Sequence, residues 1–243
     1  MREDDRTEAG RMSICGTWLS RAVARIPRIG LAQDCVLCDA ASDDAVLCVA
    51  CRNDLPGLPA GCPVCAMPGA LGEVCGTCLR QPPRFDITYA AWRYAYPVDR
   101  LVQALKFHGR LALSTFFARA LASRTTQVDV IIPMPLHASR LSERGFNQAA
   151  EIARQFPAGI RAKVVLRGAA RIRPTRPQAE LPLVERTRNV RGAFACDIDL
   201  TGARVAVVDD VMTTGATLDE LAGALKRAGA VRVENWVVAR TLG

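Results

Sequence analysis

Residues 204–217 read RVAVVDDVMTTGAT, and the organisation of the chain follows outward from them. Val205–Val208 is a continuous apolar run, the pattern of a parallel strand buried on both faces. It ends in two adjacent carboxylates, Asp209 and Asp210. A loop of small and hydroxylated residues follows (Thr213, Thr214, Gly215, Ala216 and Thr217), and LDELAGALKRAG (218–229) then reads as a helix. A helix N-terminus offers free backbone N–H groups to an anion. Glycine lets the backbone approach that anion closely, and three threonine hydroxyls add donors. The paired acids face the other end of such a ligand and can accept hydrogen bonds from a sugar's vicinal hydroxyls. The combination fits a ribose 5-phosphate, with neither the lysine nor the spacing of a P-loop.

The neighbouring segments alternate in the same way. ITYAAWRYAY (87–96) reads as a strand or hairpin arm, and QPPRFD before it marks a boundary with two prolines. Residues 98–123 carry helical periodicity, with Gly109 after LKFH as a helix stop. VDVIIP (128–133) is a short strand, RGFNQAAEIARQF (144–156) a helix, and KVVL (163–166) another strand. VRVENWVVAR (231–240) closes the series. Strand, helix, strand, helix means a parallel sheet with covering helices, whose ligands sit beyond the strand C-termini. The 209–217 loop leaves such an end.

Nine of the ten cysteines precede residue 79, and eight form four C-x-x-C pairs. Cys35/Cys38 and Cys48/Cys51 recur as Cys62/Cys65 and Cys75/Cys78, offset by 27 residues throughout. Two such pairs complete a tetrahedral Cys₄ zinc site, which has no open position for water and is therefore structural. Each unit carries too little apolar content to fold alone, so metal binding would supply its folding free energy. The competing readings fit less well. Disulfides need an oxidising compartment, and nothing indicates export. A thioredoxin-like redox pair needs a βαβ context absent here. The tandem repeat favours sequential pairing, one zinc per repeat, and the spacing also admits a cross-braced one. Cys15 and Cys196 have no sequence partner and read as ordinary thiols.

The chain is 243 residues long with a net charge of +8, and residues 100–192 hold 17 Lys/Arg against 5 Asp/Glu. A basic middle suits a polyanion such as pyrophosphate, a nucleotide or nucleic acid. For a single arginine the bland alternative is a solvated side chain. No apolar run reaches the length of about 18 residues that a membrane span needs. Ile14, Trp18, Ala22 and Ile26 recur with amphipathic-helix spacing, ending at Pro27, and Arg21 and Arg25 interrupt any signal-peptide core. The expected organisation is an N-terminal extension over 1–32, a zinc-ribbon unit over 33–82 and an α/β domain over 83–243.

Two basic segments bear on the ligand. PMPLHASRLSERGFNQ (133–148) leaves a strand end and brings Arg140 and Arg144 to the ligand edge, where a guanidinium fork can hold pyrophosphate. Asn147 and Gln148 suit either a helix cap or a ligand contact. Residues 167–194 carry seven arginines and three prolines with little periodicity, which suits a lid over the ligand, a grip on a nucleic-acid backbone or a solvated loop. Neither His108 nor His137 is expected to act in catalysis.

Taken in order, the four C-x-x-C pairs, LKFHG, PMPLHASRLSERGFNQ, Thr175-x-x-Gln178-x-x-Leu181, ERTRNVRGAF and VVDDVMTTGAT resemble the ComF family over about residues 33–241. The resemblance implies a type I phosphoribosyltransferase fold, a parallel sheet flanked by helices, behind a tandem zinc ribbon with two structural Zn²⁺. It implies phosphoribosyl pyrophosphate (PRPP) as ligand, with Mg²⁺ bridging its pyrophosphate and ribose oxygens. Asp209 and Asp210 would be the catalytic pair on the ribose hydroxyls, and Thr213–Thr217 the 5-phosphate cradle. It further implies cytoplasmic location, phosphoribosyl transfer to an acceptor the sequence does not name, and a link to single-stranded DNA and the DNA-uptake machinery. The alternative is a non-catalytic single-strand-handling protein with PRPP as regulatory ligand.

Overall fold

The computed structural model describes residues 33–42, 46–69, 72–123, 127–174 and 188–242. The expected helix over 14–26, Cys15, and Thr175, Gln178 and Leu181 lie outside them. A five-stranded sheet forms the centre, in the order β3 (Ile87–Arg93), β9 (Arg232–Arg240), β8 (Arg204–Met212), β4 (Val130–Pro133), β5 (Lys163–Val164). All four pairings are parallel, as the alternation of strands and helices requires.

Side chains of a strand alternate between faces, and here the alternation sorts residues into two cores. Ala206 and Val208 of β8, with Trp236 and Val238 of β9, meet Leu101 and Leu105 of α3 (Val98–His108) and Phe117 of α4 (Ala112–Ala122). Val205 and Val207, with Val233 and Val237, meet Leu218, Leu221 and Leu225 of the helix Ala216–Arg227. Continued one step further, the same alternation sends Asp210 toward α3 and Asp209 to the opposite face. Gly109 caps α3 with φ 61°, the left-handed conformation that the sequence reading asked of it.

Two elements differ from expectation. The 144–156 segment is not one helix. α5 (Ala138–Arg144) stops at Gly145 (φ 78°), and α6 (Gln148–Arg154) restarts after Asn147. Asn147 Oδ1 accepts the N–H groups of Ala149 and Ala150 at 2.9 and 3.3 Å, so this residue is a helix cap. Strand β8 also runs past the acids to Met212, because Asp209, Val211 and Met212 still pair with β9. The ends of segment 167–194 form an antiparallel ribbon, β6 (Ala169–Arg171) with β7 (Phe194–Cys196).

The cysteine-rich segment packs on the free edge of β3. Arg93 N donates to Pro56 O at 3.0 Å and Thr88 N to Pro63 O at 3.1 Å, which covers edge groups that would otherwise be open to another chain. It contributes β1 (Gln33–Asp34), β2 (Ala41–Ser42), α1 (Val49–Asn53) and α2 (Gly76–Arg80). The helix Ala216–Arg227 is α7 in chain order.

Among the described residues Trp236 is the largest fully buried side chain (0% exposed), stacked at a tilt on Phe156 with ring centroids 5.5 Å apart. Trp236→Ala should cost about 3–5 kcal/mol in chemical denaturation. A loss below about 1 kcal/mol would mean this core does not hold the sheet.

Candidate functional site

Beyond the C-terminal ends of β8 and β4 lies a cleft of about 620 Å³. It is lined by Asp209, Asp210, Thr213, Gly215 and Thr217, together with Arg140 and Arg144. Seven of the residues singled out in the sequence thus meet in one cavity. Thr214 and Ala216 belong to the same loop but are not part of the lining, and Ala216 N donates to Thr214 Oγ1 at 3.4 Å.

The loop has its shape for local reasons. Gly215 sits at φ 84°, and a Cβ there would stand 2.6 Å from Met212 Cε, so the turn into α7 requires glycine. The first-turn amides of α7 have no intrahelical acceptor. Arg84 braces this turn from behind. Its side chain grips Asp219 Oδ2 through Nε (3.1 Å) and Nη2 (2.8 Å), and Nη2 also meets Glu220 Oε2 at 2.6 Å.

Asp210 is only 4% exposed, and its charge is met by Lys106 Nζ, 2.9 Å from Oδ1. Its second oxygen, Oδ2, is buried without a hydrogen-bond partner among the described residues. A buried carboxylate oxygen without a partner is under-satisfied, and a donor that reached it would complete its hydrogen bonding. Asp209 is half-buried. Burial, then the charge of Asp210, raise its carboxyl to about 7, against the opposing pull of Lys106. The cations form an outer ring. Arg144 donates to Gln148 Oε1 at 2.9 Å and lies 5.5 Å over the Phe107 ring. Arg140 pairs with Glu143 at 3.1 Å, and Arg171 lines the cleft beside them. His137 borders the cleft and caps α5, its Nδ1 accepting from Ser139 N at 3.3 Å.

Sequence reasoning missed Lys106, Phe107, Gln148 as a partner of Arg144, and Arg171. LKFHG was read as a helix end and as one of the segments that carry the family resemblance, with no part in the site given to Lys106 or Phe107. The available signal was position: Lys106 lies on the apolar side of α3, one residue from Leu105, where a lysine needs a counter-charge.

The cysteines separate into two tetrads, Cys35/Cys38/Cys48/Cys51 and Cys62/Cys65/Cys75/Cys78, each with sulfurs within 4.8 Å of one another. Pairing is therefore sequential. Cys38 and Cys48 Sγ are 3.7 Å apart, as are Cys65 and Cys75 Sγ. A tetrahedral zinc with Zn–S of about 2.3 Å needs sulfur separations of about 3.8 Å, so both tetrads fit the ion. Cys75 N also donates to Cys62 Sγ at 3.3 Å, a bond that favours thiolate. Cys196 Sγ donates to Ile198 O at 3.7 Å and the residue packs against the α7-side core, as an ordinary thiol does. Among the described residues no helix is long and apolar enough to cross a membrane.

With this geometry described, known proteins offer a comparison. Residues 28–79 match the double zinc ribbon domain and residues 141–242 the phosphoribosyl transferase domain. The chain is 34% identical to the DNA utilization protein YhgH of Escherichia coli K12, over 74% of this chain and 84% of that one. It is 31% identical to competence protein F of Haemophilus influenzae, over 79% of this chain and 96% of that one. A purine phosphoribosyltransferase structure from Pyrococcus horikoshii overlaps 63% of this chain and 87% of that one at 19% identity. Its TM-score is 0.30, too low to argue from.

The Asp209 carboxyl makes a testable pH signature. Its folded pKa stands above its unfolded value, so the folded state holds the proton more tightly, and stability falls as pH rises from about 4 to about 7. Asp209→Asn, which removes the ionisation, should melt higher than the parent at about pH 8 and converge with it toward about pH 4 to 5. A variant that melts lower at the alkaline end would show that Asp209 is held as a satisfied anion instead.

Proposed function

The chain belongs to the ComF family, whose members join a double zinc ribbon to a phosphoribosyltransferase domain, and we propose that it binds PRPP with magnesium in the cleft at the end of β8. The observation that carries the reading is the convergence of Asp209, Asp210, Thr213, Gly215, Thr217, Arg140 and Arg144 on one cavity. The Thr213–Thr217 loop and the α7 N-terminus hold the 5-phosphate through backbone N–H groups and hydroxyls. Asp209 and Asp210 accept hydrogen bonds from the ribose hydroxyls, and the open Oδ2 of Asp210 supplies an acceptor that burial has left unsatisfied. Arg140 and Arg144 hold the pyrophosphate, and Lys106 adds a third cation beside Asp210. Magnesium, when bound with PRPP, neutralises pyrophosphate charge while keeping several waters.

Transfer, where an acceptor is present, breaks the C1–pyrophosphate bond as positive charge develops on the ribose. The protein's contribution is to fix the ribose and stabilise the departing pyrophosphate. Asp209 and Asp210 are the pair in contact with the reacting sugar. The printed names of the relatives point to competence and DNA utilization. We extend that setting to this chain, with single-stranded DNA and the uptake machinery as partners in the cytoplasm, a compartment in which thiolate tetrads stay reduced.

One observation favours a second reading, in which the protein grips single-stranded DNA and PRPP regulates the grip. Phe107 is 67% exposed at the cleft mouth with Arg144 over its ring, a face on which a base can stack.

Calorimetric titration of the zinc-loaded chain with PRPP and magnesium should give micromolar binding that Asp209→Asn/Asp210→Asn abolishes. Equal heats in both proteins, or none in the parent, would remove the ligand from this cleft. In the same double variant, oligothymidylate binding that persists with a steep salt dependence places DNA contact on the arginines and zinc ribbons.

A further inference from the structure

Arg240 is the last residue of β9, only 4% exposed, and is not among the residues that line the cleft. Its guanidinium divides its donors between two parts of the molecule. On one side Nε donates to Cys65 O at 3.0 Å, the backbone of a second-tetrad cysteine. On the other, Nη1 faces Met212 O at 3.3 Å, Thr241 O at 2.5 Å, and the carbonyl of Thr213. Met212 ends β8, and Thr213 opens the loop that turns into α7. One planar group thus joins the second cysteine tetrad to the first residue of the proposed phosphate loop.

Packing runs the same way. Ala66, in the knuckle of the second tetrad, shares a core cluster with Met212, Phe85 and Leu218, against which Val64 and Cys65 also pack. Met212 in turn lies under Gly215, so this cluster is the floor of the loop. The first tetrad sits elsewhere. Cys35 packs with α3 and α4 in the other cluster, which holds no residue of the 213–217 loop. Electrostatics adds a reason for the arrangement. The hydrogen-bonded acceptors of Arg240 are neutral carbonyls and the Thr241 hydroxyl, and no carboxylate pairs with it among the described residues. A buried cation needs a counter-charge. Four thiolates around one divalent ion carry a net charge of two minus, and they lie on the Cys65 side of the guanidinium.

We propose that Arg240 is a positioning residue that ties the 213–217 loop to the second cysteine tetrad, so that metal in that tetrad, and not in the first, sets the loop in its anion-binding shape. The inference rests on reading 213–217 as a phosphate-binding loop. The physical route is short. A metal fixes the sulfur of Cys65, the fixed knuckle presents its carbonyl to Nε, and the guanidinium so anchored holds the carbonyls of Met212 and Thr213. Linkage makes the effect reciprocal for binding: an anion seated on the loop retains metal in the second tetrad.

Lysine at 240 keeps the charge but, as a single point of donors, cannot reach both sets of carbonyls. The test uses the full zinc-loaded chain without ligand, and reads hydrogen–deuterium exchange across Met212–Thr217. Exchange there should rise by about tenfold in Arg240→Lys and in Cys75→Ser, and stay at the parental rate in Cys48→Ser, which disables only the first tetrad. Parental exchange in Arg240→Lys, or equal loosening in Cys48→Ser and Cys75→Ser, overturns the proposal. Arg240→Met serves as the second variant, and its folded fraction is read from the exchange of β9 amides in the same experiment. A parallel measurement follows zinc transfer to a chromogenic chelator. Magnesium PRPP at saturation should slow one of the two release phases, and in Arg240→Lys this protection should disappear. Coupled exchange without protection by PRPP would leave the Arg240 tie standing and remove the reading of the loop as an anion site.

Discussion

A carboxylate at the end of a buried apolar strand costs several kcal/mol unless a counter-charge meets it, and in this protein Lys106 does so 2.9 Å from Asp210. Much of the architecture serves that one contact. β8 is paired along both edges by β9 and β4, while α3 and α4 cover its apolar run on one face and α7 on the other. α3 must lie on the face that Ala206 and Val208 occupy, because the alternation of the strand points Asp210 there. Gly109 then ends α3 within a turn of Lys106. The pair leaves the second oxygen of Asp210 buried and without a hydrogen-bond partner among the described residues.

The support around the loop comes from outside the sheet. Arg84, just after the cysteine-rich segment, braces the first turn of α7 through Asp219 and Glu220. Arg240, at the far end of the chain, braces the start of the loop from beneath. The ribbon segment also covers the edge of β3. A metal-organised unit packed against an α/β sheet therefore adds more than a tail. It closes an open edge and supplies part of the loop's foundation.

The sequence made the strand–acid–loop–helix unit and the two cysteine tetrads legible, because each is a local pattern whose chemistry is carried by residues a few positions apart. The RVAVV run, the DD pair and the TTGAT loop needed only strand and helix-terminus rules, and the 27-residue repeat needed only counting. Sequential pairing needed the structure, since spacing admitted two arrangements. The place of Lys106 on the apolar side of α3 was a local signal that it needed a counter-charge, but no local pattern names that partner, which lies about a hundred residues away. Arg240 was hidden for the same reason, because Cys65, whose carbonyl it meets, lies far back in the sequence. The split at Gly145–Asn147 shows a local signal underweighted: an asparagine two residues after a glycine is a stop followed by a cap.

The central claim is that the end of β8 is a PRPP site. A crystal structure of the zinc-loaded chain with magnesium and an unreactive PRPP analogue tests it most directly. The account predicts the 5-phosphate on the backbone of Thr213–Thr217, the ribose hydroxyls on Asp209 and Asp210, and the pyrophosphate among Arg140, Arg144 and Lys106. An analogue seated elsewhere, with the 213–217 loop empty, would contradict it.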